Sequence, residues 1–176
     1  SRLREPAHPR SIAPPRGNRP PMDRRLRLLL LCFLESFGTI LLERGIYFYT
    51  AHQLGFTPSQ NLALALGFGV TYVAGAFYSH ALAERVGERR VLATALGLLL
   101  AGHILLIADQ GPLLITAVFV TLGFLHGVKW PVIESYITAG LTPRATMRML
   151  GRFNVSWALA VPPAVAVVGP MLETPW

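Results

Sequence analysis

Five long apolar segments alternate with short polar connections along the chain. They occupy residues 26–50, 59–82, 90–108, 113–136 and 153–171. A helix needs about 20 residues to cross the hydrocarbon core of a bilayer, and each segment has roughly this length. The pattern therefore predicts an all-α polytopic membrane protein with five transmembrane helices.

Arginines cluster before the first segment and in every second connection after it. The clustered residues are Arg24, Arg25, Arg27, Arg85, Arg89, Arg90, Arg144, Arg148 and Arg152. The connections at 51–58 and 109–112 contain neither Lys nor Arg. Because positive charge is retained on the cytoplasmic side, we expect an inner-membrane protein with a cytoplasmic N-terminus.

The composition excludes an ordinary soluble domain, since 52% of the residues are hydrophobic and 14% are charged. Fourteen of the sixteen basic residues lie near the N-terminus or in the arginine-bearing connections. Topology and anionic lipid account for these residues, so the net charge of +7 does not indicate a nucleic-acid partner. The remaining two, Arg44 and Lys129, fall inside predicted helices. The single Cys32 excludes an intrachain disulfide framework.

The two ends of the chain differ from its apolar centre. Residues 1–21 contain six prolines and five arginines without apolar periodicity, which predicts a disordered tail. Met22 precedes the first apolar segment and is our interpretation of the natural start. We interpret residues 22–176 as a partial transmembrane domain, and the chain as a fragment.

Small residues recur every four positions in three of the segments, which places them on one helix face. The positions are Ala63, Gly67, Thr71, Gly75 and Ser79; Ala93, Gly97 and Ala101; and Gly123, Gly127, Pro131 and Ser135. Small side chains let helix backbones approach closely in membranes. We therefore expect a neighbouring helix against each of these faces.

The connection at residues 80–90 reads HALAERVGERR. A turn this tight favours Gly87, and the acid of Glu84 beside Arg85 is able to form a charge pair that breaks when helices move. The segment resembles the inner-loop signature of the major facilitator superfamily, Gly-x-Leu-Ala-Asp-Arg-x-Gly-Arg-Arg. The matching positions are Glu84, in place of Asp, and Arg85, Gly87, Arg89 and Arg90, whereas His80 and Glu88 depart from the signature.

The resemblance implies an architecture of twelve helices in two halves. The chain would supply five helices of the six-helix N-terminal half, and the second half would be missing from it. Substrate would bind near the midplane, between the halves. The resemblance also implies that the loop at 80–90 acts in conformational change.

Charged residues inside the first segment are the main candidates for function, because an ionisable group in hydrocarbon costs at least ~2.5 kcal/mol. They are Glu35, Glu43 and Arg44. With Tyr47 and Phe48, the last two are similar to the Glu-x-x-Glu-Arg-Phe-x-Tyr-Tyr signature of proton-coupled oligopeptide transporters. The match is partial and does not assign a peptide substrate. Alternatively, Glu43 and Arg44 reach the outer interface beside an aromatic belt.

The fourth segment carries His126, Lys129 and Glu134 around Pro131, and the fifth carries Asn154. Their spacing puts polar groups on two adjacent faces of the fourth helix. Under the family resemblance, the first and fourth helices both line the central cavity. The alternative is that Lys129 pairs with Glu35 or Glu43 and only locks the bundle.

We therefore expect a secondary active transporter that moves a small solute by alternating access and is coupled to protons. A carboxyl group among Glu35, Glu43 and Glu134 would bind a proton or a substrate cation, and movement relative to Arg44 and Lys129 would change its proton affinity.

We expect no metal and no cofactor. An enzyme is disfavoured because no metal-ligand pair, nucleophile–base arrangement or phosphate loop is apparent. The alternative is a non-transporting membrane subunit or receptor-like protein on a transporter fold. Substrate, transport direction and oligomeric state stay open.

Overall fold

The structure, a computed structural model, describes residues 22–173 and the side chains of residues 25–170. It contains five helices: α1 (Met22–His52), α2 (Pro58–Val86), α3 (Glu88–Ala108), α4 (Pro112–Thr138) and α5 (Pro143–Glu173). No strand occurs in this range. The predicted all-α fold is confirmed, whereas the expected tail at 1–21 lies outside the described residues.

Four of the helices, α2 to α5, are long and apolar enough to cross a membrane. The described first helix is not among them, although it has 31 residues. Arg27, Glu35 and Glu43 interrupt its apolar sequence. α1 instead joins the bundle through extensive packing against α5.

Contacts between the helices give their relative directions. Gly67 of α2 lies against Val120 of α4, and Ser79 further along α2 donates a hydrogen bond to the carbonyl of Val128, so α2 and α4 run parallel. Glu88, at the start of α3, instead meets Ser135 near the end of α4. The helices therefore alternate in direction, and the arginine-bearing connections lie at one end of the bundle.

The interface of α2 with α4, which we call the α2–α4 seam, brings two backbones into contact. A Cβ added to Gly75 would lie 2.1 Å from the carbonyl oxygen of Phe124, and one added to Gly127 would lie 2.0 Å from that of Tyr72. Thr71 Oγ1 donates a 2.6 Å hydrogen bond across the seam. The small-residue prediction is confirmed for these two helices.

The same prediction is wrong for α3. Its buried face consists of Val91, Ala95, Leu99 and Gly102. Gly97 has no neighbouring atom within 4 Å of a Cβ built on it, and Ala93 and Ala101 are also exposed. Branched and long apolar side chains of α3 pack on α4, so a repeat of small residues did not identify the packed face.

Helix boundaries differ from the apolar segments mainly at the arginine-bearing end. Gly87 alone separates α2 from α3, and its φ of +93° is a conformation that favours glycine. α5 begins at Pro143, ten residues before the predicted start. Its first ten residues contain three arginines, so they are not part of the apolar segment from which the start was predicted. The helix also continues through Pro162 and Pro163. Membrane helices tolerate proline where neighbouring groups satisfy the freed carbonyls.

The second close helix pair consists of α1 and α5. Cys32, Met149 and Phe153 are buried together with Ile137 at the end of α4. Ser156 Oγ also donates a 2.8 Å hydrogen bond to the carbonyl of Leu29. The bundle therefore consists of α1 with α5 on one side and α2, α3 and α4 on the other.

Candidate functional site

A cavity of about 420 Å³ lies where the two helix groups face each other. Four helices, α1, α2, α4 and α5, contribute to its wall. The lining residues are Ser36, Thr39, Ile40, Glu43, Phe68, Tyr72, Trp130, Glu134, Phe153, Asn154 and Trp157. This volume falls in the ~300–1,000 Å³ range of small-molecule sites.

Three of the predicted site residues reach this cavity. Glu43 on α1, Glu134 on α4 and Asn154 on α5 supply two carboxyl groups and an amide to its wall. The amide oxygen of Asn154 accepts a 3.2 Å hydrogen bond from Trp157 Nε1, which orients both side chains. The cavity thus combines acidic and aromatic groups from four helices.

A buried set of charged and polar groups lies behind the cavity wall. Lys129 is fully buried, and its Nζ forms an ion pair and hydrogen bond with Glu35 Oε1 across the interface of α4 with α1. The same Nζ lies 2.9 Å from His126 Nδ1 and 4.3 Å from the centre of the Trp130 ring. We call the three linked residues the Glu35–Lys129–His126 chain.

The Glu35–Lys129–His126 chain adjoins the cavity through two lining residues that contact it. Thr39 lines the cavity and donates a 3.0 Å hydrogen bond to Glu35 Oε1, and Trp130 contributes a ring to each. Glu35 Oε2 and Ser36 Oγ are buried without a hydrogen-bond partner. Buried polar atoms are rarely left unpaired, so the wall beside Ser36 retains hydrogen-bonding capacity.

The remaining predicted residues of α1 point elsewhere. Arg44 is exposed, whereas the preceding Glu43 is partly buried on the cavity wall. Consecutive helical residues project about 100° apart, which accounts for the separation. Tyr47 packs edge to face on Phe119 with ring centroids 5.5 Å apart, away from the cavity lining. Of the two acids expected as partners of Lys129, Glu35 and Glu43, the structure shows the pair with Glu35.

Several lining residues were not predicted from the sequence. Ser36, Thr39 and Ile40 precede Glu43 at a spacing that places all four on one face of α1, and this periodicity was a readable signal. Among the aromatic lining residues, Phe68 and Tyr72 are also four residues apart, as are Phe153 and Trp157, but this spacing does not distinguish a ring that faces a cavity from one that faces lipid. Phe68, Tyr72 and Trp157 resemble other membrane-facing aromatics in the sequence, and only the helix packing directs them into the cavity.

The loop of the inner signature lies at the arginine-bearing end, away from the cavity. Glu84 pairs with His80 one turn earlier at 3.2 Å, and both side chains are exposed. Arg85, Arg89 and Arg90 are exposed as well. Glu88, where the signature has arginine, accepts a 2.6 Å hydrogen bond from Ser135 of α4.

These features define a multi-pass helical membrane protein with a solute-sized cavity and buried charges at the centre of its bundle. The family model of the Major Facilitator Superfamily matches residues 28–174, which includes parts of all five helices. The chain therefore belongs to the major facilitator superfamily, whose members are transporters and not enzymes. No curated protein and no solved structure matches it. The likeness to the oligopeptide-transporter signature stays a prediction.

Proposed function

We propose that the protein is a secondary active transporter that moves a small solute across the cytoplasmic membrane by alternating access, coupled to protons. The observation that carries this proposal is the Glu35–Lys129–His126 chain directly behind a solute-sized cavity. A purely structural bundle has no need of a buried ion pair beside an open volume, since apolar residues of similar size are often as stable. A second half of the fold would close the cavity.

The proton-coupling step follows from the position of the ion pair between the two helix groups. Glu35 belongs to α1 and Lys129 to α4, and these helices make few direct contacts. When the helix group of α1 and α5 moves away from the group of α2, α3 and α4, Lys129 no longer neutralises the Glu35 carboxylate. A proton then takes over that role, because an unpaired charge inside a membrane is costly. Return of Lys129 would release the proton.

We further propose that the arginine-bearing end of the bundle faces the cytoplasm. The three arginine clusters lie at that end, which is the distribution the positive-inside rule describes. In a Cys32→Ser background, single cysteines would replace Asp109 in the α3–α4 connection and the exposed Ala139 in the α4–α5 connection. A membrane-impermeant maleimide added to intact cells should label position 109 and not position 139. The reverse labelling would contradict this orientation.

Reconstituted vesicles test proton coupling against several classes of solute in turn. Vesicles containing a trapped pH-sensitive dye would be exposed to amino acids, sugars, carboxylates and organic amines. We expect one class to move protons with the wild-type protein, and Glu35→Gln to abolish this movement. Asp109→Asn, which alters an exposed carboxyl group outside the cavity, is the matched control and should behave as wild type.

Two outcomes would count against the proposal. Proton movement unchanged in Glu35→Gln would remove this residue from the coupling mechanism. Solute binding without transfer across a sealed vesicle would instead support the receptor-like alternative.

A further inference from the structure

We infer that the solute recognised in the cavity is a small organic cation with an apolar or aromatic group. This inference names a substrate class for the cavity and rests on the proposed transport function. Three features of the described residues support it: the charge of the lining, its aromatic rings and the geometry of its carboxyl groups.

The charge of the lining favours a cation. Glu43 and Glu134 are acidic, and none of the described residues that line the cavity is basic. Lys129 lies nearby but is fully buried and paired with Glu35, so its charge is compensated. Arg44 is exposed and is not part of the lining. Two carboxyl groups in a cavity with low-dielectric walls attract positive ligands and repel anions.

The aromatic rings of the lining also favour a cation. Phe68, Tyr72, Trp130, Phe153 and Trp157 all contribute to the wall. Cations are attracted to the faces of such rings, and aromatic cages recognise quaternary ammonium groups in this way. The Lys129 ammonium at Trp130 already shows this contact within the protein.

Three of these rings are also held in fixed positions. Phe68 stacks on Phe119 with centroids 4.8 Å apart, and Trp130 meets Phe153 edge to face at 5.7 Å. A ligand that binds there orders few side chains, which reduces the entropic cost of binding.

The carboxyl groups do not favour a metal ion. Within the described residues, no three His, Cys, Asp or Glu side chains are grouped as metal ligands. Hard cations such as calcium require six or more oxygen ligands at short distance. An organic cation needs only nearby charge and apolar contact, and both are present.

The test uses the purified protein and three probes of similar shape. Phenyltrimethylammonium is the cation, tert-butylbenzene is its neutral isostere, and benzenesulfonate is an anion of comparable size. Isothermal titration should show saturable binding of the cation at least tenfold tighter than binding of either other probe. Equal binding of the neutral isostere, or no saturable binding of the cation, would overturn the inference.

Variants locate the binding site. Glu43→Gln and Glu134→Gln should each weaken cation binding about tenfold, and Asp109→Asn should leave it unchanged. Trp157→Leu should weaken binding, whereas Trp157→Phe should retain most of it because a ring remains. If Glu43→Gln, Glu134→Gln and Trp157→Leu all bind the cation as the wild type does, while eluting as monodisperse protein, the cation does not bind in this cavity.

A parallel uptake assay in sealed vesicles separates this inference from the proposed function. Cation binding without uptake would uphold the site and overturn transport. Proton-coupled uptake of another solute, without cation binding, would uphold transport and overturn the substrate class.

Discussion

Two faces of α4 are packed in opposite ways. Toward α2, Gly123 and Gly127 let the backbones touch, and hydroxyl groups bond across the contact. Toward α1, α4 presents long polar side chains, an ion pair and the cavity. The first face has no room for an added carbon atom, whereas the second borders empty volume and the unpaired polar atoms of Glu35 and Ser36 on α1.

The difference indicates where the bundle is rigid and where it is able to rearrange. Close-packed interfaces resist deformation because any shift produces overlap or voids. The α1–α4 interface contains a cavity and an ion pair, so its side chains have other arrangements available to them. Under the proposed transport function, we therefore expect movement on the α1–α4 side, whereas the α2–α4 seam anchors α4.

The largest expected effect is on the seam. Gly127→Ala places a Cβ 2.0 Å from the Tyr72 carbonyl oxygen and 2.8 Å from the Ala76 nitrogen, so a backbone must move. We expect a loss of about 3 kcal/mol or more, at the upper end of overpacking effects. Thermal unfolding in detergent, followed by tryptophan fluorescence, measures it.

The matched control makes the same chemical change on the exposed face of α3. Gly97→Ala meets no atom within 4 Å, and alanine is the better helix former by ~0.5–1 kcal/mol. Its melting temperature should be unchanged or slightly raised. Equal destabilisation by both variants would contradict the described packing of the seam.

The next effect concerns the ion pair. Lys129→Met leaves the Glu35 carboxylate without its cationic partner. We expect a loss on the order of 2 kcal/mol, below the ~3–5 kcal/mol of fully buried pairs, because the Glu35 side chain is 29% exposed. Adding Glu35→Leu removes the uncompensated charge and should recover most of the lost stability. Thermal unfolding of both proteins provides the comparison, and additive losses would show that the two residues are not coupled.

The smallest effect returns to the seam. Ser79→Ala removes the 2.9 Å hydrogen bond to the Val128 carbonyl but leaves the backbone contact in place. Hydrogen bonds between membrane helices average ~0.6 kcal/mol, and we expect a loss of that size. Thr121→Val, which removes a hydroxyl bonded only within its own helix, is the control and should cost less in the same unfolding assay.

Sequence patterns predicted the fold better than they predicted the site. Apolar segments and small-residue spacing identified the helices and both faces of the seam, because they reflect constraints on a single helix. The separation of Glu43 from Arg44 follows from the 100° between consecutive helical residues, whereas the choice of Glu35 over Glu43 as the partner of Lys129 depends on how α1 rotates against α4. The small residues of α3 show that spacing alone does not identify a packed face. Gly97 has the spacing of a packed position, but no atom lies within 4 Å of a Cβ built on it.

Transport by the double variant Glu35→Leu/Lys129→Met tests the central claim most directly. If the pair only locks the bundle, restoring stability with apolar residues should also restore transport. We predict that this variant, measured in sealed vesicles with an imposed pH gradient, recovers most of its thermal stability and shows no proton-driven uptake. Uptake with the proton dependence of the wild type would contradict the account.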